Sequence, residues 1–271
     1  MEQRNDISGR VSRRRRARQI VAARLERLED LSIGKLVPST ITLLALCSGV
    51  TAIRFGLGGE WSSAVTFVIA AMILDMLDGR AARMLGADSR FGAQLDSLAD
   101  LVSFGVAPGI IMYMWTLHEM GNAGWIAALI FCACAAIRLA RFNVESVRDE
   151  GATKGNPYFT GLPTPAAACM MLLPMLISFE WDNPVVREPW VSGVFIAITS
   201  ALMVSRVPTP SIKYMKLQRQ HRYLAGLAFA IIAGLLIAWP WATLTIGLLI
   251  YVASIPFAIV THHPRLAKQS S

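Results

Sequence analysis

Four aspartates, Asp75, Asp78, Asp96 and Asp100, fall within 26 positions of a chain in which 54% of residues are hydrophobic. Asp75 and Asp78 are three apart and so share one face of a helix. Gly79 and Ala82, four and seven beyond Asp75, lie on that same face and leave room beside the carboxylates. Gly92, Asp96 and Asp100 form a second stripe at four-residue spacing. Two helices carrying these stripes can aim two carboxylates each at one point. Carboxylates gathered in this way repel one another unless cations join them. Hard divalent cations such as Mg²⁺ or Mn²⁺ prefer oxygen ligands. A pair of such ions about 3.5–4 Å apart is a common device for phosphoryl transfer. No histidine or cysteine cluster competes for this role. Cys47, Cys132, Cys134 and Cys169 all fall in apolar segments without a CxxC pair and read as small buried residues in a reducing context. His118, His221, His262 and His263 read as interfacial, with no catalytic role.

The segments that carry these aspartates are apolar enough to cross a membrane. The chain has 271 residues, a mean hydropathy of +0.48 and only 16% charged residues, too little polar surface for a soluble domain of this length. Apolar stretches of near-membrane length recur at 36–58, 62–83, 94–116, 123–143, 162–180, 190–206, 222–240 and 243–261. The expectation is an all-α polytopic membrane protein of about eight transmembrane helices. Trp239-Pro240-Trp241 separates the last two as an interfacial turn. A carboxylate at the centre of such a helix costs about 2.5–3.5 kcal/mol on the insertion scale, and less near the interface. Four of them call for compensation.

Basic residues give the orientation. With a cytoplasmic N-terminus, the cytoplasmic loops carry Arg80, Arg83 and Arg90, then Arg138, Arg141, Arg148 and Lys154, then Arg206, Lys213, Lys216, Arg219 and Arg222, with Arg265 and Lys268 at the C-terminus. Of the opposite loops only one holds a basic residue, Arg187, although Arg54 lies near the outer end of the first span. An even number of spans with both termini cytoplasmic produces this asymmetry, and seven spans would not. The expected organisation is a basic cytoplasmic arm over 1–35, a transmembrane catalytic domain over 36–261 and a cytoplasmic tail over 262–271. The arm, with Arg13 to Arg16 in one run, reads as a topogenic anchor or a segment lying on anionic headgroups. It lacks the apolar stretch of a signal peptide, and no binding module accompanies it to suggest nucleic acid.

Two other uses of the aspartates need weighing. They could pair with Arg80, Arg83 and Arg90 as a topological salt-bridge cluster, but that leaves the interleaved small residues unexplained. They could form a cation pathway in a transporter, but ionisable residues would then be spread through the depth of the bilayer, and here they gather near one face. The whole stretch matches D-x2-D-G-x2-A-R-x8-G-x3-D-x3-D from Asp75 to Asp100. It resembles the signature of the CDP-alcohol phosphotransferase family, with every motif position present. The resemblance implies two divalent cations, Mg²⁺ or Mn²⁺, held by Asp75, Asp78, Asp96 and Asp100, with Asp100 also the general base for an acceptor hydroxyl. It implies a nucleotide site at Gly79, Ala82, Arg83 and Gly92. Near the start of the first span, Ser39 stands where that family usually carries Asn, and Thr42 where it often carries Thr; both belong to the implied donor site.

Further stretches resemble the serine-using, membrane-integral bacterial branch of that family. They are Ser103–Pro108, Arg138–Asn143, Phe159–Pro165 and Met203–Lys213. That branch implies eight helices, a homodimer in the inner membrane and an active site facing the cytoplasm. It implies CDP-diacylglycerol as donor, L-serine as acceptor and CMP as leaving group. Arg138 and Arg141 are candidates to meet a phosphate or the acceptor carboxylate, which the guanidinium fork suits; as residues at a cytoplasmic helix end they also read as orientation markers. Pro163 and Pro165 read as structural residues of a helix start. Glycerol 3-phosphate, an inositol phosphate and choline remain alternative acceptors, and a cation-coupled transporter the alternative class.

Overall fold

The computed structural model describes residues 33–86, 89–149, 159–181, 183–205, 208–209 and 222–266. The arginine run, residues 150–158 and 210–221 and the last five residues lie outside them. The chain is built of helices: α1 (Ile33–Leu57), α2 (Trp61–Leu85), α3 (Arg90–Asp100), a π-helical turn (Leu101–Val106), α4 (Ala107–Trp115) and α5 (Asn122–Asp149). Beyond them come α6 (Thr164–Glu180), α7 (Pro189–Val204), α8 (Arg222–Ala238) and α9 (Pro240–Leu266). Single 3-10 turns stand at Leu117–Met120 and Pro184–Arg187. Among the described residues, four helical segments are long and apolar enough to cross a membrane: 36–57, 61–85, 91–115 and 122–145. The other four, α6 to α9, are shorter apolar helices over their described side chains. Trp239 is the single residue between α8 and α9, so the Trp-Pro-Trp break is a sharp turn with Pro240 opening the next helix. Helix α9 runs on to Leu266, into the segment read as a tail.

Apolar residues cover the outer faces as well as the core. Leu43, Leu44 and Val50 on α1, and Ile126, Leu129 and Ile137 on α5, are all exposed. Continuous apolar exteriors of this kind suit lipid rather than water. Cys47 lies on the exposed face of α1, which corrects the expectation that all four cysteines are buried; Cys132, Cys134 and Cys169 are half-buried. A helix facing lipid has no need to turn a small apolar residue inward. The core proper gathers Ala52, Val65, Ile111, Phe131, Met171 and Met175 from five different helices.

The most extensive packing joins α1 to α2. Ser48 Oγ donates to the Phe67 carbonyl across that contact at 2.8 Å. The third span is one rod interrupted by the π turn, which begins at the residue after Asp100. A π turn inserts an extra residue into the helical ladder and re-aims the side chains beyond it. Ser103 within it donates to the Ala45 carbonyl of α1 at 3.2 Å. A Cβ on Gly49 would lie 2.7 Å from the Ser103 Cα, so glycine is the residue that lets α1 approach this turn. The aspartate-bearing half of the third span is thereby fixed against α1 and α2.

Among the described residues, the fold departs from all-helical at one place. Residues 159–160 and 208–209 form a two-residue antiparallel pair, Phe159 opposite Thr209 and Thr160 opposite Pro208. Gly161, next in the chain, has a φ of 84°, and a Cβ there would meet the Ser205 carbonyl at 2.9 Å. Leu162 N–H then bonds the Leu202 carbonyl at 3.4 Å. This small clasp brings the entry to α6 against the exit from α7.

Candidate functional site

Asp75 and Asp78 come from the second half of α2, and Asp96 from the middle of α3. Both helices have defined ends near the site. Gly86, with φ 57°, closes α2, its N–H bonded to the Ala82 carbonyl. Ser89 caps α3 by accepting the Gly92 N–H at 3.0 Å. The short connection returns the chain so that the carboxylates meet. One ligand oxygen from each of Asp75, Asp78 and Asp96 lies within 4.8 Å of the others. Asp100, one turn further along α3, stands outside this trio but near enough to Asp75 for the two carboxylates to act on each other.

Asp78 is buried, at 5% exposure, and is held from α1 by Thr42, whose Oγ1 donates to Asp78 Oδ2 at 2.6 Å. The Pro38 carbonyl, at 3.0 Å, is a second acceptor within reach of the same hydroxyl. Thr42 thus touches a carboxylate directly, a contact that its placement in the donor site did not anticipate. Ser39 is half-buried on α1, three positions before Thr42. Arg83 is exposed and donates from Nε to the Gly79 carbonyl at 2.9 Å. It braces its own helix end instead of neutralising the aspartates, which speaks against a salt-bridge role for it. Gly79 is exposed with open space where a Cβ would stand, and Ala82 is half-buried one turn on. A Cβ on Gly92 would come within 3.1 Å of the capping Ser89 Oγ, so Gly92 keeps the start of α3 close-fitting.

Residues on α5 divide between two neighbours. Arg138 NH1 donates to Thr164 Oγ1, at the start of α6, at 2.6 Å. Its Nε is buried and has no partner among the described residues. Its charge is near enough to act on Asp100 and on Tyr251 of α9. Arg141 NH1 instead bonds the Val204 carbonyl at the end of α7, at 3.1 Å. Asn143 faces elsewhere again and accepts from Ser97 of α3 at 3.0 Å. Arg138 is therefore the α5 residue brought toward the aspartates, and Arg141 fastens a helix end. Thr164 and Tyr251 carry no signal in sequence spacing, since only the fold brings them to Arg138.

The donor set is three oxygen ligands within one ion's reach and a fourth carboxylate beside them, with a Thr hydroxyl orienting the most buried. That is the chemistry of a site for hard divalent cations. The open side at Gly79 leaves space for a bulky group alongside.

A family model, CDP-alcohol phosphatidyltransferase, matches residues 35–205. The CDP-diacylglycerol–serine O-phosphatidyltransferase of Mycobacterium leprae (strain TN) is 35% identical over 227 residues, covering 83% of this chain and 75% of that protein. The protein of the same name from Mycobacterium tuberculosis (strain H37Rv) is 32% identical over 239 residues, covering 86% and 82%. That from Bacillus subtilis (strain 168) is 37% identical over 178 residues, covering 65% of this chain and 91% of its own. Among solved structures, a Mycobacterium tuberculosis phosphatidylinositol phosphate synthase with CDP-DAG bound matches 68% of this chain and 99% of its own at 21% identity, with a TM-score of 0.44.

Proposed function

This chain belongs to the CDP-alcohol phosphatidyltransferase family, and from that premise we propose that it moves the phosphatidyl group of CDP-diacylglycerol onto the hydroxyl of L-serine and releases CMP. The convergence of Asp75, Asp78 and Asp96 at one point carries the chemistry. The relatives' shared name supports serine as the acceptor. Asp75, Asp78, Asp96 and Asp100 would hold two divalent cations, Mg²⁺ or Mn²⁺. When bound, these ions supply the charge neutralisation that a pyrophosphate needs.

The chain's own residues do the rest. Gly79 and Ala82 leave the nucleotide its space, Arg83 and Gly92 shape its site, and Ser39 and Thr42 border it. Thr42 keeps the Asp78 carboxylate pointed at the site. Arg138 meets the acceptor, its guanidinium fork matching a carboxylate. Asp100 accepts the proton of the serine hydroxyl as that oxygen bonds the phosphorus bearing diacylglycerol. The phosphorus–oxygen bond to CMP breaks, CMP departs with the bonding pair, and phosphatidylserine remains in the membrane.

The wider organisation fits the same reading. Eight spans with both termini cytoplasmic are supported by the positive loops and by the run of apolar helices, counting α3 to α4 as one. They would set the aspartates at the cytoplasmic face of an inner membrane, at the depth of a lipid pyrophosphate. Residues 1–35 are the basic arm, 36–261 the catalytic domain and 262–271 the tail, and the working unit is a homodimer. The test is CMP release by purified protein in lipid–detergent micelles with CDP-diacylglycerol and Mn²⁺ or Mg²⁺. L-Serine is compared with glycerol 3-phosphate, inositol 1-phosphate and choline. Release with serine alone, abolished by EDTA, is the expected result. Release with another alcohol alone overturns the acceptor, and cation flux in liposomes without CMP release overturns the enzyme.

A further inference from the structure

The family match ends at residue 205, before α8 and α9 begin. The last helix is nevertheless not peripheral. It packs against the short strand at 208–209 and along α6, the helix that carries the Thr164 anchor of Arg138. Tyr251, midway along α9, is half-buried and packs against the main core. With Cys169, Leu172 and Leu248 it lines an almost wholly apolar cavity of about 300 Å³ between α2, α6, α8 and α9. The other hydroxyl on that wall, Thr243, is already committed, donating to the Trp239 carbonyl at 2.8 Å. The Tyr251 hydroxyl has no hydrogen-bond partner among the described residues.

The Tyr251 oxygen is not among the fully enclosed polar atoms, so its hydroxyl is open to a partner, and a tyrosine joins such a polar tip to an apolar ring. Of the two, Arg138 has the buried deficit. One of its terminal nitrogens is held by Thr164, while its Nε is buried and unpartnered among the described residues. The remaining edge of the guanidinium, Nε with the other terminal nitrogen, is the fork that takes two oxygens of one anion. Tyr251 lies near enough to feel the arginine's charge, and so does Asp100. Two donors short of acceptors thus stand together on the flank of the aspartate site.

We propose that Tyr251, delivered by a helix outside the family-matched segment, is a specificity-determining residue whose hydroxyl, together with Arg138, binds an anionic oxygen group of a substrate. The chemistry fits the carboxylate of the acceptor or a phosphate oxygen of the donor. The inference rests on the phosphatidyl-transfer reading above.

The experiment measures CMP release by the full-length chain, wild type against Tyr251→Phe, varying serine and CDP-diacylglycerol in turn. Loss of one hydrogen bond to a charged group is expected to raise one KM about tenfold, with kcat and the thermal midpoint little changed. A rise for serine identifies the carboxylate; a rise for CDP-diacylglycerol identifies the phosphate. Ethanolamine, which lacks the carboxylate, supplies a further arm: in the first case the preference for serine over ethanolamine narrows. Leu248→Ala, on the same cavity wall, controls for packing. If Tyr251→Phe leaves both KM values unchanged, or merely reproduces the Leu248→Ala pattern, the proposal is overturned. Failure of wild-type protein to use serine while using another alcohol is a failure of the acceptor reading, and Tyr251 is then judged on that alcohol's KM.

Discussion

The two flanks of the site are assembled in opposite ways. The aspartate flank is nearly local: α2 and α3 are adjacent in the chain, and three carboxylates converge across one short connection. The Arg138 flank is assembled from α5, α6 and α9, whose contributing residues are far apart in sequence. Each flank has one charged group steadied by a threonine at the same distance. Thr42 holds Asp78 at 2.6 Å, and Thr164 holds Arg138 at 2.6 Å. The difference is in what surrounds the held group. Asp78 sits among like charges, which only cations offset, whereas Arg138 keeps a buried donor open for a partner. A flank of like charges suits chemistry shared by every acceptor, and a flank with an open donor suits recognition of one acceptor.

That division predicts its largest effect at Asp96. Asp96→Asn removes one charge and one ligand from the trio while keeping the shape. Activity with every alcohol should fall by about a thousandfold, beyond the loss for a single transition-state donor, since on the proposed reading a ligand of the ion itself is lost. Mn²⁺ binding, monitored by electron paramagnetic resonance on the purified protein, should weaken in parallel. Near-normal Mn²⁺ binding with activity intact would remove the trio from the site.

The aspartate flank could be read from sequence because a helix repeats every 3.6 residues, so three- and four-residue spacings state which side chains share a face. The hydrophobic runs likewise located most helix ends to within about four residues, down to the break at Trp239, but fell short where polar residues continue a helix, as at Asp149 and Leu266. The π turn after Asp100 was not legible: Leu101–Val106 is apolar but for Ser103, and nothing in its composition distinguishes five-residue from four-residue closure. Nor was the clasp at 159–160 and 208–209, which depends on Gly161 and on two chain segments meeting. The Arg138 flank was half legible. A basic residue at a helix end reads equally as an orientation marker, and only the Thr164 bond and the buried Nε separate Arg138 from Arg141.

The second prediction sharpens that separation. Arg138→Lys keeps the charge and loses the fork, so binding of a planar anion should suffer while the cation site does not. The expected result is a fall in kcat/KM for serine of about a hundredfold, in line with losing charge-assisted bonds worth about 1.5–3 kcal/mol each. Mn²⁺ binding should stay as in wild type. Arg141→Lys should change kcat/KM by no more than about threefold, because its bond goes to a backbone carbonyl at a helix end. Equal losses for the two variants would mean that the guanidinium fork of Arg138 has no special partner.

The finest comparison sets the two threonines against each other. Thr42→Val and Thr164→Val each remove a hydroxyl and keep the volume, and each deletes a 2.6 Å bond to a charged side chain. Both should cost about tenfold in kcat/KM, the value of one such bond. Their patterns should differ. Without Thr42, Asp78 is free to turn from its fellow carboxylates, so the metal concentration for half-maximal activity rises and the loss is the same for any accepted alcohol. Without Thr164, Arg138 loses its anchor, so KM for serine rises at unchanged metal dependence. Lysine cannot stand in for the fork, so combining Thr164→Val with Arg138→Lys should cost little more than Arg138→Lys alone. Combining Thr42→Val with Arg138→Lys should multiply the two losses, because those residues act on separate flanks. If the two double variants behave alike, the flanks are one coupled network and the division of labour between them fails.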